Sequence, residues 1–418
     1  MFDALSLLVV VAAVFSFVNH KILRLPTTIG VTLLVLAASL LLVVANALGV
    51  PIRASASALV GRLRFQELLL NQMLAFLLFA GALNVAVDFR DLLEQKWAVV
   101  LLATVGVLAS TFLVGASTYV AAHALGAHLT VVECLLFGAL ISPTDPIAVL
   151  GMLRSASAPK AIEVQMAGEA LFNDGIGVVT FSLILALMGG TAAMGHTPVT
   201  AVGMLVARQV VGSLVLGFGA GWVAFLFLRA VDNHQLEVLI TIALAMGLYT
   251  LARALDASGP LAVVVAGLLI GSTGRSHAMS AKTVQHLDAF WEMVDEILNV
   301  VLFVMVGLQV LVVELTGRFL LLGVAAIVFV LVARFLSVGG TALAVRRLFP
   351  FPRGAVKLLT WGGLRGGLSL AMALSLGPSV SGRHTIQTMT YVVAVFSILV
   401  QGLSFKKLLP RIASALAT

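Results

Sequence analysis

Leu140-Ile141-Ser142-Pro143-Thr144-Asp145-Pro146-Ile147-Ala148 sets one acid and two prolines inside an apolar run. Proline has no amide hydrogen to donate and restricts the residue before it, so a helix breaks here. Carbonyls near Thr144 then lose their helical donors. In hydrocarbon that loss is costly unless a cavity or a cation satisfies them. An ionisable side chain inside a membrane is also costly, and it faces a partner or a watery cavity. The freed carbonyls, the Thr144 hydroxyl and the Asp145 carboxylate are hard oxygen donors suited to a small alkali cation. A simple proline kink is the bland alternative, and the acid at its centre argues against it.

The surrounding chain supports a membrane setting. It has 418 residues, of which 61% are hydrophobic and 10% charged, whereas soluble domains carry about 25% charged residues. An all-α polytopic membrane protein follows, because a bilayer needs no hiding of apolar side chains. The single cysteine, Cys134, excludes an internal disulfide and a cysteine-rich metal centre. The net charge of +7 reads as basic cytoplasmic loops and not as a nucleic-acid surface.

With about 20 apolar residues per span, about thirteen spans emerge, near 4–18, 26–48, 66–88, 98–122, 129–152, 162–189, 199–228, 236–253, 260–272, 294–314, 318–343, 356–377 and 386–408. The polar stretch from Ser276 to Glu296 suggests an interfacial helix before the tenth span. With the N-terminus outside and the C-terminus cytoplasmic, about sixteen basic loop residues lie inside and about six outside, as the positive-inside rule requires. The twelfth span has its own break, Trp361-Gly362-Gly363-Leu364-Arg365-Gly366-Gly367. Interrupted helices in corresponding positions of two halves indicate inverted repeats with a site at mid-membrane.

The sixth span adds Gly168-Glu169-Ala170-Leu171-Phe172-Asn173-Asp174-Gly175. Glu169 and Asn173 share a face, being four residues apart. Asp174 turns about 100° from Asn173, toward the fifth span. A buried bare carboxylate is unfavourable, and a proton or a cation relieves it. Asp174 is therefore expected to be claimed alternately by H⁺ and by a monovalent cation. Glu169 is expected to form a structural ion pair with Arg334 of the eleventh span. Arg365, among its glycines, is expected to satisfy helix-end carbonyls or to approach the acids. Gly212, Gly217 and Gly221 read as packing positions. No zincin pattern, phosphate loop or nucleophile elbow occurs.

Together Ser142–Pro146, Gly168–Asp174 and Gly363–Gly366 resemble the monovalent cation:proton antiporter-1 family, and within it the NhaP-type sodium/proton antiporters. The likeness spans nearly the whole chain. It implies a homodimer in the cell (inner) membrane, with two broken helices that cross. Each protomer would have a dimerisation part near 1–95 and 230–315 and a six-helix core near 96–190 and 316–410. A linking helix near 199–229 would join them. It also implies that Asp174 binds cation and proton, that Asp145 and Thr144 complete the site, and that Asn173 stands where electrogenic relatives carry a second aspartate. One-for-one electroneutral exchange is the corresponding expectation, with no cofactor beyond the transported ions.

The chain departs from the family pattern at Ala170, where many members carry serine, and at Leu78-Phe79-Ala80-Gly81, where some carry a cation-lining acid. Both departures leave fewer oxygen ligands. Sodium is the expected cation, and potassium on the same scaffold is the alternative. An intramembrane enzyme with Asp145 and Asp174 as catalytic acids, or a passive channel, would need a substrate-recognition element or a filter repeat that the sequence does not offer.

Overall fold

The computed structural model describes residues 2–48, 65–86, 89–145, 147–155, 160–188, 198–313, 317–345, 354–405 and 407–408. Helices and short connections account for all of the described residues, and no strand occurs among them. Pro146 lies outside the described residues, so its expected part in the break is not traced further.

The helices used below are α1 (Phe2–Val18), α2 (Thr27–Ala47), α3 (Leu74–Ala86), α4 (Lys96–Ala124), α5 (Val131–Ile141), α6 (Ile147–Ser155), α7 (Lys160–Met188) and α8 (Pro198–Arg229). They continue with α9 (His234–Ala254), α10 (Gly259–Leu269), α11 (Ala281–Leu308), α12 (Gly317–Val345), α13 (Ala355–Gly362), α14 (Gly367–Leu374) and α15 (Arg383–Phe396). Ten described helical segments are long and apolar enough to cross a membrane. The expected spans outside those ten are the third, fifth and twelfth. A π-turn at Leu69–Met73 precedes α3 in the third, and the fifth and twelfth are interrupted, as α5–α6 and α13–α14.

Local chemistry explains several helix starts. Thr130 caps α5 in a capping box with Glu133, which satisfies amides that the first turn leaves unpaired. The same Glu133 carboxylate accepts hydrogen bonds from the Ser381 hydroxyl and the Gly382 amide, both at 2.7 Å, and so fastens α5 to the loop before α15. Ser258 caps α10, with proline in the first turn, where a missing amide hydrogen costs nothing. Ser280 caps α11.

α11 corrects one expectation. The polar stretch ending at Glu296 is not a separate interfacial helix; it is largely the first half of one continuous 28-residue helix. The reason is geometric: Asp288, Glu292, Asp295 and Asn299 recur at helical spacing and line a cavity, so their charges meet that space and not lipid.

Packing forms several apolar clusters. One joins α3, α8, α9, α10 and the start of α11 around Trp291, whose indole nitrogen donates to the Thr241 hydroxyl at 3.0 Å. α8 can approach α10 closely because Gly217 faces the Ala262 carbonyl, where a Cβ would collide. A second joins α1, α2 and the rest of α11, with contributions from α14 and α15. Two further clusters gather α4, α5, α12, α14 and α15, and α6, α7, α12 and α13. Outward faces remain apolar: Val211, Val215, Phe218, Trp222 and Leu226 of α8 are all exposed along one stripe, as a lipid-facing helix requires.

Candidate functional site

The two helix breaks meet. The backbone amide of Asp145, in the α5–α6 break, donates to the Leu364 carbonyl in the α13–α14 break at 2.8 Å. Arg365, buried to 2% exposure, donates through Nη1 to the Ser142 carbonyl and, at 2.8 Å, to the Pro143 carbonyl. The guanidinium thus satisfies carbonyls at a helix end. Its own amide is held by the Ser397 hydroxyl at 2.9 Å. Gly366 is needed for this approach, because a Cβ there would overlap the Asp145 side chain.

α7 lies against the first break. Asn173 is fully buried and its Nδ2 donates to the Thr144 hydroxyl at 2.8 Å, while its Oδ1 has no hydrogen-bond partner. The hydrogen bond from the sixth span to the fifth at this point comes from Asn173. Asp174 sits on the neighbouring face and lines a cavity of about 820 Å³ with Pro143, Thr144, Asp145, Ala170 and Gly366. Asp145 and Asp174 are close enough to repel one another electrostatically.

Glu169, one turn before Asn173, accepts from both Nη1 and Nη2 of Arg334, the latter at 2.8 Å. Arg334 also donates to the Leu359 carbonyl, at 3.4 Å from Nε and 3.3 Å from Nη2. The bidentate fork is the geometry a guanidinium makes with a carboxylate. Both side chains are almost fully buried, so the pair links α7, α12 and α13 in a region that holds no water-exposed alternative. Arg208 of α8 pairs with Asp256 at 3.1 Å, and both are exposed.

The cavity wall also contains residues that sequence reasoning missed. α11 contributes Asp288, Glu292, Asp295, Glu296 and Asn299, and Arg275 stands near its rim. Arg275 pairs with Asp288 at 2.5 Å. The four-, three- and four-residue spacing from Asp288 to Asn299 was readable as one helical face. What the sequence hid was the cavity beside it. Of the two departures noted above, Ala170 lines the cavity, whereas Ala80, which stands in place of the acid, is wholly buried and only its neighbour Gly81 reaches the wall. Asn84, one turn after Gly81, lines it as well.

Among the described residues, no three His, Cys, Asp or Glu side chains converge as a tight metal centre would. Where the two helix breaks meet, the cavity presents the Asp145 and Asp174 carboxylates, the Thr144 hydroxyl and a broken backbone, with the acids of α11 on another part of its wall. This set can exchange a proton for a weakly held monovalent ion, and it lacks a nucleophile with its base.

Comparison with known proteins identifies the family. Residues 7–411 match the family described as "Sodium/hydrogen exchanger, transmembrane". The chain is 43% identical over 420 residues to the Na(+)/H(+) antiporter NhaP of Pseudomonas aeruginosa, covering 99% of this chain and 97% of that one. It is 32% identical over 348 residues to the Na(+)/H(+) antiporter NhaH of Halobacillus dabanensis, covering 83% and 84%. Its fold matches the sodium proton antiporter MjNhaP1 of Methanocaldococcus jannaschii with a TM-score of 0.74 at 20% identity, over 99% of this chain and 98% of that one. The chain therefore belongs to the transmembrane sodium/hydrogen exchanger family, whose members are secondary transporters and not enzymes.

Proposed function

We propose that this protein is a sodium/proton antiporter that exchanges one Na⁺ for one H⁺ by alternating access. The observation that carries the reading is the position of Asp174: it lines the cavity beside the point where two broken helices meet, with Asp145 and Thr144 next to it. The relatives named as Na(+)/H(+) antiporters support sodium as cargo.

The chemistry follows from charge. Glu169 and Arg334 neutralise each other, and Arg365 is committed to carbonyls. Asn173 adds no charge beside Asp174. A cation held by Asp174, Asp145 and Thr144 displaces a proton, and a proton displaces the cation. A bare carboxylate is penalised in a low-dielectric setting, so the empty site resists crossing and the two fluxes stay coupled. One acid cycling between H⁺ and Na⁺ moves no net charge. Beyond these ions the exchange needs no cofactor.

The two groups of apolar clusters support a moving core of α4–α7 and α12–α15 against a scaffold of α1–α3 and α9–α11, with α8 as the linking helix. The scaffold would carry the contact between two protomers. The distribution of basic loop residues supports a C-terminus in the cytoplasm and an N-terminus outside a cell membrane. On that orientation the cavity rim, with Arg275 and the start of α11, faces the cytoplasm.

Potassium as cargo is the second reading. It is favoured by Ala170 and Gly81 in the cavity wall, which supply no side-chain oxygen to repay the stronger hydration of Na⁺. One experiment tests both. Purified protein in liposomes is given Na⁺, Li⁺ or K⁺ gradients, with and without an imposed membrane potential, and proton flux is followed. Wild-type protein is expected to move protons with Na⁺ independently of potential, and D174N to move none while remaining folded. Full flux in D174N removes Asp174 from the site.

A further inference from the structure

Asp295 occupies an unusual electrostatic position. It is half-buried in the middle of α11, on the cavity wall. The charged neighbours that act on it are all acids: Asp145, Glu292 and Glu296. The one arginine of the wall, Arg275, lies nearer the rim and is already engaged by Asp288. Asp288 and Asp295 differ by seven residues, so the arginine is about 10 Å away along the helix axis at 1.5 Å per residue.

The second observation is Asn299, one turn deeper on the same face. Its side chain is 3% exposed and lines the cavity. Its amide nitrogen is beside the Asp295 carboxylate, and its amide oxygen has no hydrogen-bond partner among the described residues. An unpaired buried amide oxygen is costly, and this one lines the cavity next to a carboxylate that no described basic residue pairs with. An amide oxygen and a carboxylate are two of the oxygen ligands that an alkali ion accepts.

We propose that Asp295 and Asn299 form a second, outer cation station on the α11 wall, from which a small monovalent ion passes to Asp145 and Asp174. The station rests on the antiport reading for its purpose but not for its existence. It answers the poor oxygen set at the deeper site: Gly81 and Ala170 give no ligand there, and α11 supplies two from another direction. The set is too sparse to hold a multivalent ion tightly. That suits a way-station, since an ion must bind well enough to arrive and weakly enough to leave.

The station can be tested without transport, through the stabilisation that a ligand confers on the folded state. The melting temperature of detergent-solubilised protein is measured against rising NaCl, with choline chloride at equal ionic strength as the control. D174N removes one of the two deeper carboxylates and leaves Asp145, so the outer station is reported by that part of the remaining Na⁺-specific stabilisation which a further change at Asp295 or Asn299 abolishes. D174N is expected to keep a Na⁺-specific rise in melting temperature. D174N/D295N and D174N/N299A are expected to lose it, and D174N/D295E to keep it. N299A alters no charge, and it carries the same test where D295N disturbs folding. No Na⁺-specific stabilisation in D174N, or the same stabilisation in D174N/N299A, overturns the proposal. Failure of the antiport reading would look different: wild-type liposomes without cation-driven proton flux.

Discussion

Asn173 Nδ2 and the Thr144 hydroxyl, 2.8 Å apart, join the residue beside Asp174 to the residue beside Asp145. A neutral hydrogen bond thereby sets the relation of two acids that repel each other. Removing its acceptor leaves a fully buried amide nitrogen unpaired, which costs about 1–3 kcal/mol. T144V, which keeps the volume and loses the hydroxyl, is expected to melt at lower temperature and to raise the cation KM. T144S should restore both. Equal melting curves for T144V and wild type would show that the bond does not hold the site.

The Glu169–Arg334 pair is buried on both sides. Breaking a buried pair by deleting one member leaves an uncompensated charge, at a cost of about 3–5 kcal/mol. Total stability is itself only about 5–15 kcal/mol, so E169A is expected to express poorly and unfold early. The double variant E169Q/R334M removes both charges and should recover part of the loss. The measurement is thermal unfolding followed by size-exclusion chromatography. Unchanged stability in E169A with altered cation affinity alone would place Glu169 among the ion's ligands.

Much of the fold was legible because its signals are local. Pro143 inside an apolar run and four glycines crowded around Arg365 weaken a helix through their own local chemistry, and 61% hydrophobic residues leave the membrane as the only solvent for the remainder. Glu169 and Arg334 invite pairing because each is expensive alone in hydrocarbon. The acidic face of α11 was harder. From sequence, Asp288, Glu292, Asp295 and Glu296 look too charged for a span, and only the cavity beside them makes a continuous helix affordable. Likewise, the Asn173–Thr144 bond depends on how α7 is rotated against the broken fifth span, and that rotation is set by packing such as Gly177 against the Pro143 ring. A helical period shows which residues share a face; it does not show what the face meets.

Arg365 holds two carbonyls of the other broken helix through one nitrogen. R365A leaves both acceptors unpaired at about 1–3 kcal/mol each, with room for water in place of the guanidinium. R365A is expected to lower the melting temperature and the transport rate together, because the breaks meet where Asp145 sits. R365K can reach one carbonyl and should lie between. Full transport at wild-type melting temperature in R365A would mean that the contact does not organise the site.

Competition at Asp174 makes a quantitative statement about pH. The proton and the cation occupy the same carboxylate, so lowering pH fills it with protons and weakens apparent cation binding. While protons predominate, each unit of pH fall should raise the cation KM about tenfold if one proton is displaced per ion, and about a hundredfold if Asp145 and Asp174 release one each. The maximal rate at saturating cation should change far less than KM on the proton-dominated limb. At high pH the effect reverses in kind: KM levels off, and turnover falls because too few protons are available for the return step. Proton flux in liposomes, titrated with Na⁺ at a series of symmetric pH values, gives the slope. A slope of one together with indifference to membrane potential fits a single exchanging acid. A slope of one with strong dependence on potential means that another charge moves with the core, and Asp145 is then the first residue to replace.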